Sequence, residues 1–236
     1  MSETFLTNLL WGFLIIAPGA VIAIVLHEVA HGWAANALGD PTARLQGRLS
    51  LNPIRHADPV GTVALPLILF AAQMLTIGRV EMLFGWAKPV PVDTRYFRNP
   101  RVGMAWVAAA GPAINLVLAF LFALSGHAVD ELPGVVGAYA AELIVFAVQI
   151  NLLLMLFNLL PVPPLDGGRI LVGILPLPAA RIVARLEGAG LALILVGFFL
   201  VPAALRQAGI AADPLGTLLW PPLVWFRRLV FTAAGF

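Results

Sequence analysis

Two histidines four residues apart, with a glutamate directly after the first, stand in the run Leu26-His27-Glu28-Val29-Ala30-His31-Gly32. On a continuous helix, residues at i and i+4 share a face about one turn apart, so His27 and His31 present two imidazoles to one point. This is the H-E-x-x-H spacing in which the imidazoles hold a zinc ion and the carboxylate, here Glu28, acts as the general base that takes a proton from water. The plainer alternative is a pair of buried, hydrogen-bonded histidines with a glutamate serving helix packing. The surroundings argue against it. The motif lies in the apolar segment Leu9 to Leu38, and a charged side chain near a bilayer centre costs at least about 2.5–3.5 kcal/mol, so ionisable residues there mark functional sites. A divalent cation supplies the compensation that such a cluster needs.

A catalytic zinc site typically uses three protein ligands plus a water, so the histidines leave one position to fill. Asp166 is one candidate, in Leu160-Pro161-Val162-Pro163-Pro164-Leu165-Asp166-Gly167-Gly168, where prolines end the preceding helix and the glycines allow a sharp turn. Its competing role is an N-cap for a short apolar helix over Gly167 to Leu175. His56 is the second candidate, in a polar, proline-containing loop where an interfacial histidine is the commoner explanation. His127, beside Asp130 and Glu131, reads as solvated.

The elements that must position these residues are set by composition. Of 236 residues 61% are hydrophobic and only 11% charged, whereas a soluble domain carries about 25% charged residues. The chain is expected to be an integral, multi-pass membrane protein whose residues 1–236 form a single domain, with a catalytic core over about residues 9–175 and C-terminal helices over about residues 189–231. The net charge of +2 is dispersed between apolar segments, a topology signal that gives no reason to expect nucleic acid. The absence of cysteine excludes disulfides, thiolate zinc sites and cysteine catalysis. Met1 to Asn8 has no basic residue, so the first apolar segment is expected to stay in the mature protein.

A membrane-crossing helix takes about 20 apolar residues. Candidate spans are Leu9 to Leu38, Val102 to Leu124, Val136 to Leu160, Ala189 to Leu205 and Leu215 to Phe231. The stretch Val60 to Ile77 is shorter and leads into Phe84 to Val92, whose prolines and alternating valines predict an extended or hairpin segment. The expected fold is all-α, with five to six transmembrane helices and a re-entrant or hairpin segment between the first two full spans. Ala108-Ala109-Ala110-Gly111-Pro112 groups small side chains, which in lipid serve close helix packing.

Taken in order, His27-Glu28-Val29-Ala30-His31, then Ala110-Gly111-Pro112-Ala113-Ile114-Asn115, then Asn158 through Gly168, the sequence resembles the site-2 proteases, which are polytopic intramembrane zinc metalloproteases. Gly47 to Pro53 and Phe84 to Val92 look like the compact prokaryotic branch without PDZ or CBS domains. The resemblance implies that His27, His31 and Asp166 hold one Zn2+ per chain, that Glu28 is the catalytic base, and that Asn158 assists the reacting carbonyl. It implies a transmembrane protein substrate in the lipid bilayer and regulated intramembrane proteolysis. The insertion from Arg55 to Ile77 is longer than in minimal members. The oligomeric state is unknown from sequence.

If Val60 to Ile77 were a full span, the segments bearing His27 and Asp166 would run antiparallel and hold their ligands about 30 Å apart, beyond any zinc bond. The stretch Val60 to Val92 is therefore expected to enter the membrane and return to the same side, giving five full spans and an outside N-terminus. Arg44, Arg48, Arg55, Arg95, Arg98, Arg101, Arg169, Arg181 and Arg185 then share one face with Arg227 and Arg228, opposite Glu3, Asp130 and Glu131; Arg206 is the exception. The basic face is cytoplasmic by the positive-inside rule, which puts the active site toward the cytoplasm of a prokaryotic cytoplasmic membrane. Water is expected to reach it past Asp40 to Asp58. The alternative is a non-proteolytic metal-binding or metal-transport protein, which needs the ligands but not Glu28; an assembly factor that binds transmembrane helices would need neither.

Overall fold

Long apolar runs punctuated by Asn-Pro, Asp-Pro and glycine turns dictate helices joined by short capped connections, and a computed structural model has this architecture. It describes residues 3–76, 85–210 and 213–236. The helices are α1 (Glu3–Ala37), α2 (Thr42–Leu45), α3 (Leu65–Thr76), α4 (Pro100–Ser125), α5 (Gly134–Asn158), α6 (Asp166–Ile174), α7 (Leu177–Arg185), α8 (Glu187–Leu195), α9 (Val201–Gln207) and α10 (Pro214–Ala233). Among the described residues there is no strand. Gly39, at φ 103°, takes the left-handed conformation just past α1 that side-chain-bearing residues avoid. α4 starts where Asn99 Oδ1 accepts from Val102 N at 3.2 Å with Pro100 in the first turn, and Asp213 caps α10 in the same way.

Among the described residues three helices are long and apolar enough to cross a membrane: Leu14–Ala37, Pro100–Val129 and Gly134–Asn158. Their exteriors carry the hydrophobic side chains a bilayer requires, with Ile16, Trp106, Val117 and Val145 all exposed. Pro59 to Leu75 is a shorter apolar helix that opens with a turn capped by Asp58. Over residues 85–92, where an extended or hairpin segment is expected, the chain forms neither helix nor strand, while residues 77–84 lie outside the described residues.

The directions of the three long helices follow from their contacts. Tyr139 Oη donates to Leu14 O at 2.9 Å, a Cβ on Gly19 would lie 3.5 Å from Ala147 Cα, and Asn115 donates to both Ala23 O and Asn151 Oδ1. Residue numbers rise together, so α1 and α5 run parallel. α4 runs the other way, meeting His31 at Val107 and Ala23 at Asn115. The chain leaves α1 and re-enters α4 at one end: Asp93 N donates to Asp40 Oδ2 at 2.7 Å, and Phe97 packs with Ala35 and Val107.

Two expectations change at the C-terminus. His127 is packed rather than solvated: its Nε2–H donates to Ala234 O at 2.6 Å and its ring stacks on Phe236 with centroids 4.3 Å apart. α10 thus ends beside the C-terminal end of α4, with Ala119, Ala123, Val148, Leu223 and Val230 in one core cluster. Arg227 and Arg228, about two turns before that end, fall toward the side remote from Arg44 and Arg101, not with them. α10 also runs opposite to α5. A single crossing by Ala189 to Leu205 does not fit these directions, because residues 159–213 must return to the end they left. A pair of arginines marks a helix end but not which end; core packing decided it.

Candidate metal centre and active site

The two imidazoles are fixed from behind. Val107 O can only accept, so His31 Nδ1 carries the proton in their 2.8 Å hydrogen bond. Asn115 donates its amide to Asn151 Oδ1 at 2.9 Å and Ala23 O at 3.2 Å, leaving its own Oδ1 to accept from His27 Nδ1–H at 2.6 Å. Asn151 Nδ2 in turn donates to Ala147 O at 2.8 Å. Asn115 and Asn151 are fully buried in helices that are otherwise apolar on that face. With both Nδ1 atoms protonated, the Nε2 of each ring, a lone-pair donor when the ring is neutral, turns the other way.

Those lone pairs meet a carboxylate. Asp166 Oδ2 lies 3.2 Å from His27 Nε2 and 3.4 Å from His31 Nε2, and one potential ligand atom from each residue lies within 4.8 Å of the others. Oδ2 is buried and has no hydrogen-bond partner. Three candidate ligand atoms converge, and with both rings neutral they repel one another unless a cation sits between. The donor set, two imidazoles and a carboxylate, suits zinc. Asp166 does not cap α6: that helix starts at Asp166 with no side-chain cap. His56 stands apart from the cluster, its Nε2 bonded to Ser50 O at 2.7 Å.

Small residues allow this convergence. A Cβ on Gly111 would lie 2.5 Å from Cε1 of both His27 and His31, so α4 can press on the rings only without a side chain there. The small run expected to serve packing packs against the candidate ligands themselves. Gly167 and Gly168 act by space as well: their Cβ atoms would lie 2.2 Å from Leu159 O and 2.3 Å from Pro163 N, while neither glycine has a positive φ. The sharp turn expected from their backbone freedom is a close approach instead.

Glu28 and Asn158 share a cavity of about 420 Å³ with His27, His31 and Asp166, its far wall formed by Trp86 and Val90. Glu28 Oε2 accepts from Val90 N at 3.1 Å. Asn158 Nδ2 donates to Leu154 O at 3.0 Å, one turn back in its own helix. Arg169 also lines the cavity, whereas residues 40–58, expected as the path for water, do not. At the surface, hydrogen bonds from Arg95 to Asp93 hold the Asp93 carboxyl below the ordinary carboxylate range. Sequence reasoning did not single out Asn151, and took Asn115 only as part of a motif; a lone amide in an apolar run is the signal that finds both.

Residues 124–201 match Peptidase family M50. The chain is similar to "Putative zinc metalloprotease YwhC" of Bacillus subtilis, 38% identical over 212 residues that cover 86% of this chain and 83% of that protein. It is also similar to "Putative zinc metalloprotease Rip2" of Mycobacterium tuberculosis and of Mycolicibacterium smegmatis, each 30% identical over 156 residues, 66% of this chain and 55% of theirs. The chain thus spans about half the length of the Rip2 proteins. No solved structure matches it. With the ordered motifs and near-complete coverage of the Bacillus protein, the chain belongs to Peptidase family M50, the site-2 proteases.

Proposed function

We infer that the chain is a zinc-dependent intramembrane endopeptidase in which His27, His31 and Asp166 hold the metal and Glu28 is the general base. The observation that carries this reading is the unsatisfied Asp166 Oδ2 facing two Nε2 lone pairs, with Glu28 in the same cavity. When bound, zinc supplies a Lewis acid that lowers the pKa of water and polarises a peptide carbonyl. Glu28 accepts the water's proton and returns it to the leaving amine. Asn158 uses one amide hydrogen on Leu154 O; its second donates to the oxygen where negative charge develops.

The substrate is a membrane-spanning helix of another protein, locally unwound, because a helical peptide bond is covered by its own hydrogen bonds. Residues 1–236 act as one membrane domain, with the catalytic core over about residues 9–175. Residues 60–92 enter the bilayer and return, a reading supported by the Asp40–Asp93 hydrogen bond that joins the two ends of the connection. Arg44, Arg48, Arg95, Arg98 and Arg101 near that end make it cytoplasmic by the positive-inside rule. Single cysteines placed at positions 50 and 95 of this cysteine-free chain should both react with an impermeant thiol reagent from the cytoplasmic side; labelling from opposite sides would overturn the re-entrant path.

The experiment that tests the function turns on Glu28, the residue a metal transporter does not need. Purified protein in vesicles is given lysine-flanked single-span peptides with a central Gly-Pro break. Glu28→Gln should keep zinc near wild-type stoichiometry while cleavage falls by about 10²–10⁴, or about 2.7–5.5 kcal/mol of barrier. Undiminished cleavage by Glu28→Gln would overturn the mechanism, and zinc movement across vesicles without any cleavage would favour the transporter.

A further inference from the structure

We propose that residues 85–93 form a splint that holds Glu28 in its working orientation, and that Asp40 and Arg48 are positioning residues that lock the splint in place. This rests on the reading of Glu28 as the base. The segment is tied down along one edge with the two-residue period of an extended chain. Trp86 N donates to Gly61 O at 3.2 Å, Lys88 N to His56 O at 2.8 Å, and Val90 N to Glu28 Oε2 at 3.1 Å. Thr62 Oγ1 donates to Trp86 O at 2.9 Å and Arg48 Nη2 to Lys88 O at 2.7 Å. Asp40 Oδ2 closes the far end by accepting from Asp93 N at 2.7 Å.

Asp40 is fully buried and Arg48 is 7% exposed, yet neither has an oppositely charged partner among the described residues. Isolated buried charges are costly. Asp40 Oδ1 accepts from Thr42 N at 2.9 Å, while Asp40 Oδ2 and Arg48 Nη2 both aim hydrogen bonds at the same extended segment. The segment is also stiff: Pro89 and Pro91 fix their own φ and hold Lys88 and Val90 extended. The Val90 side chain seats on α1 one turn beyond Glu28, where a Cβ on Gly32 would lie 3.1 Å from Val90 Cγ1. Val90 supplies the single N–H of Pro89-Val90-Pro91, and Glu28 takes it.

The same facts weigh against pairing a substrate strand along this segment. On its opposite edge, set by Ala87, Pro89 and Pro91, only Ala87 has an N–H, so a ladder there would lack donors at two successive positions. The splint therefore acts on turnover rather than on substrate affinity.

Val90→Pro removes the N–H and Val90→Ala keeps it; Arg48→Ala removes the clamp and Arg48→Lys keeps one donor. With the single-span peptides in vesicles, Val90→Pro and Arg48→Ala should lower kcat at least tenfold, leave KM within twofold and retain zinc. Val90→Ala keeps the N–H and should retain severalfold more kcat than Val90→Pro, and Arg48→Lys should recover part of the lost kcat. In metal-free protein, exchange of the Val90 amide hydrogen should speed at least tenfold in Glu28→Ala, a readout that does not depend on activity and stands if Val90→Pro fails to fold. A raised KM at unchanged kcat would show a substrate-binding strand and overturn the proposal, as would loss of zinc in Arg48→Ala, or unchanged kcat and unchanged exchange. Failure of the splint alone leaves Glu28→Gln inactive; if Glu28→Gln is itself active, the reading of the base fails instead.

Discussion

The proposed metal side and the proposed base side of this site are built by different means. Behind His27 and His31 lie α4 and α5, where Asn115, Asn151 and the Val107 carbonyl fix the rings from within a fully buried helical core. Opposite them, Glu28 is held by the backbone of an irregular segment, itself held by loop side chains. Helix packing is rigid and transmits a one-ångström error directly to the ligands, whereas a loop clamp tunes one carboxylate without touching them. Damage on the first side should cost metal and stability together, and damage on the second should cost turnover with metal retained.

The comparison breaks most visibly at the ligands. Asp166→Ala should empty the site and reduce cleavage to background, read as zinc per chain by elemental analysis; a protein that still binds zinc would remove Asp166 from the ligand set. Gly111→Ala comes next, because its methyl must displace both imidazoles, for which overpacking costs of about 1–3 kcal/mol are usual. Its zinc content and thermal midpoint should fall together, and a variant that binds zinc normally would show that α4 has room to move. Asn115→Ala should weaken zinc binding by about 10–100-fold, the usual cost of losing a partner behind a metal-bound histidine. Competition with a chromogenic chelator measures this, and unchanged affinity would show that His27 is oriented by packing alone. The smallest effect belongs to His56→Ala, whose imidazole bonds Ser50 O away from the cluster and whose loss should leave zinc stoichiometry unchanged.

Much of the candidate site was legible in the sequence. The i, i+4 spacing put His27 and His31 on one helical face, and three apolar segments of sufficient length appear as α1, α4 and α5 close to their expected bounds. Zinc bond lengths led to the expectation that the segments leading to the candidate ligands run parallel; α1 and α5 do run parallel, and Asp166 itself opens α6 beyond the end of α5. The C-terminal third was less legible: α9 and α10 carry prolines and arginines, and hydropathy assigns a segment a length but no direction.

The sequence by itself determined the candidate ligand types, their spacing along the chain and the apolar setting, because periodicity, chemistry and hydropathy are local properties of the chain. Only the tertiary structure decided which atoms meet. That Asn115 backs His27, that Gly111 gives the rings their space, that Val90 offers its N–H to Glu28 and that α10 ends beside His127 are contacts across 88, 80, 62 and 107 residues of chain. Such contacts depend on how whole helices stack, which no local pattern encodes.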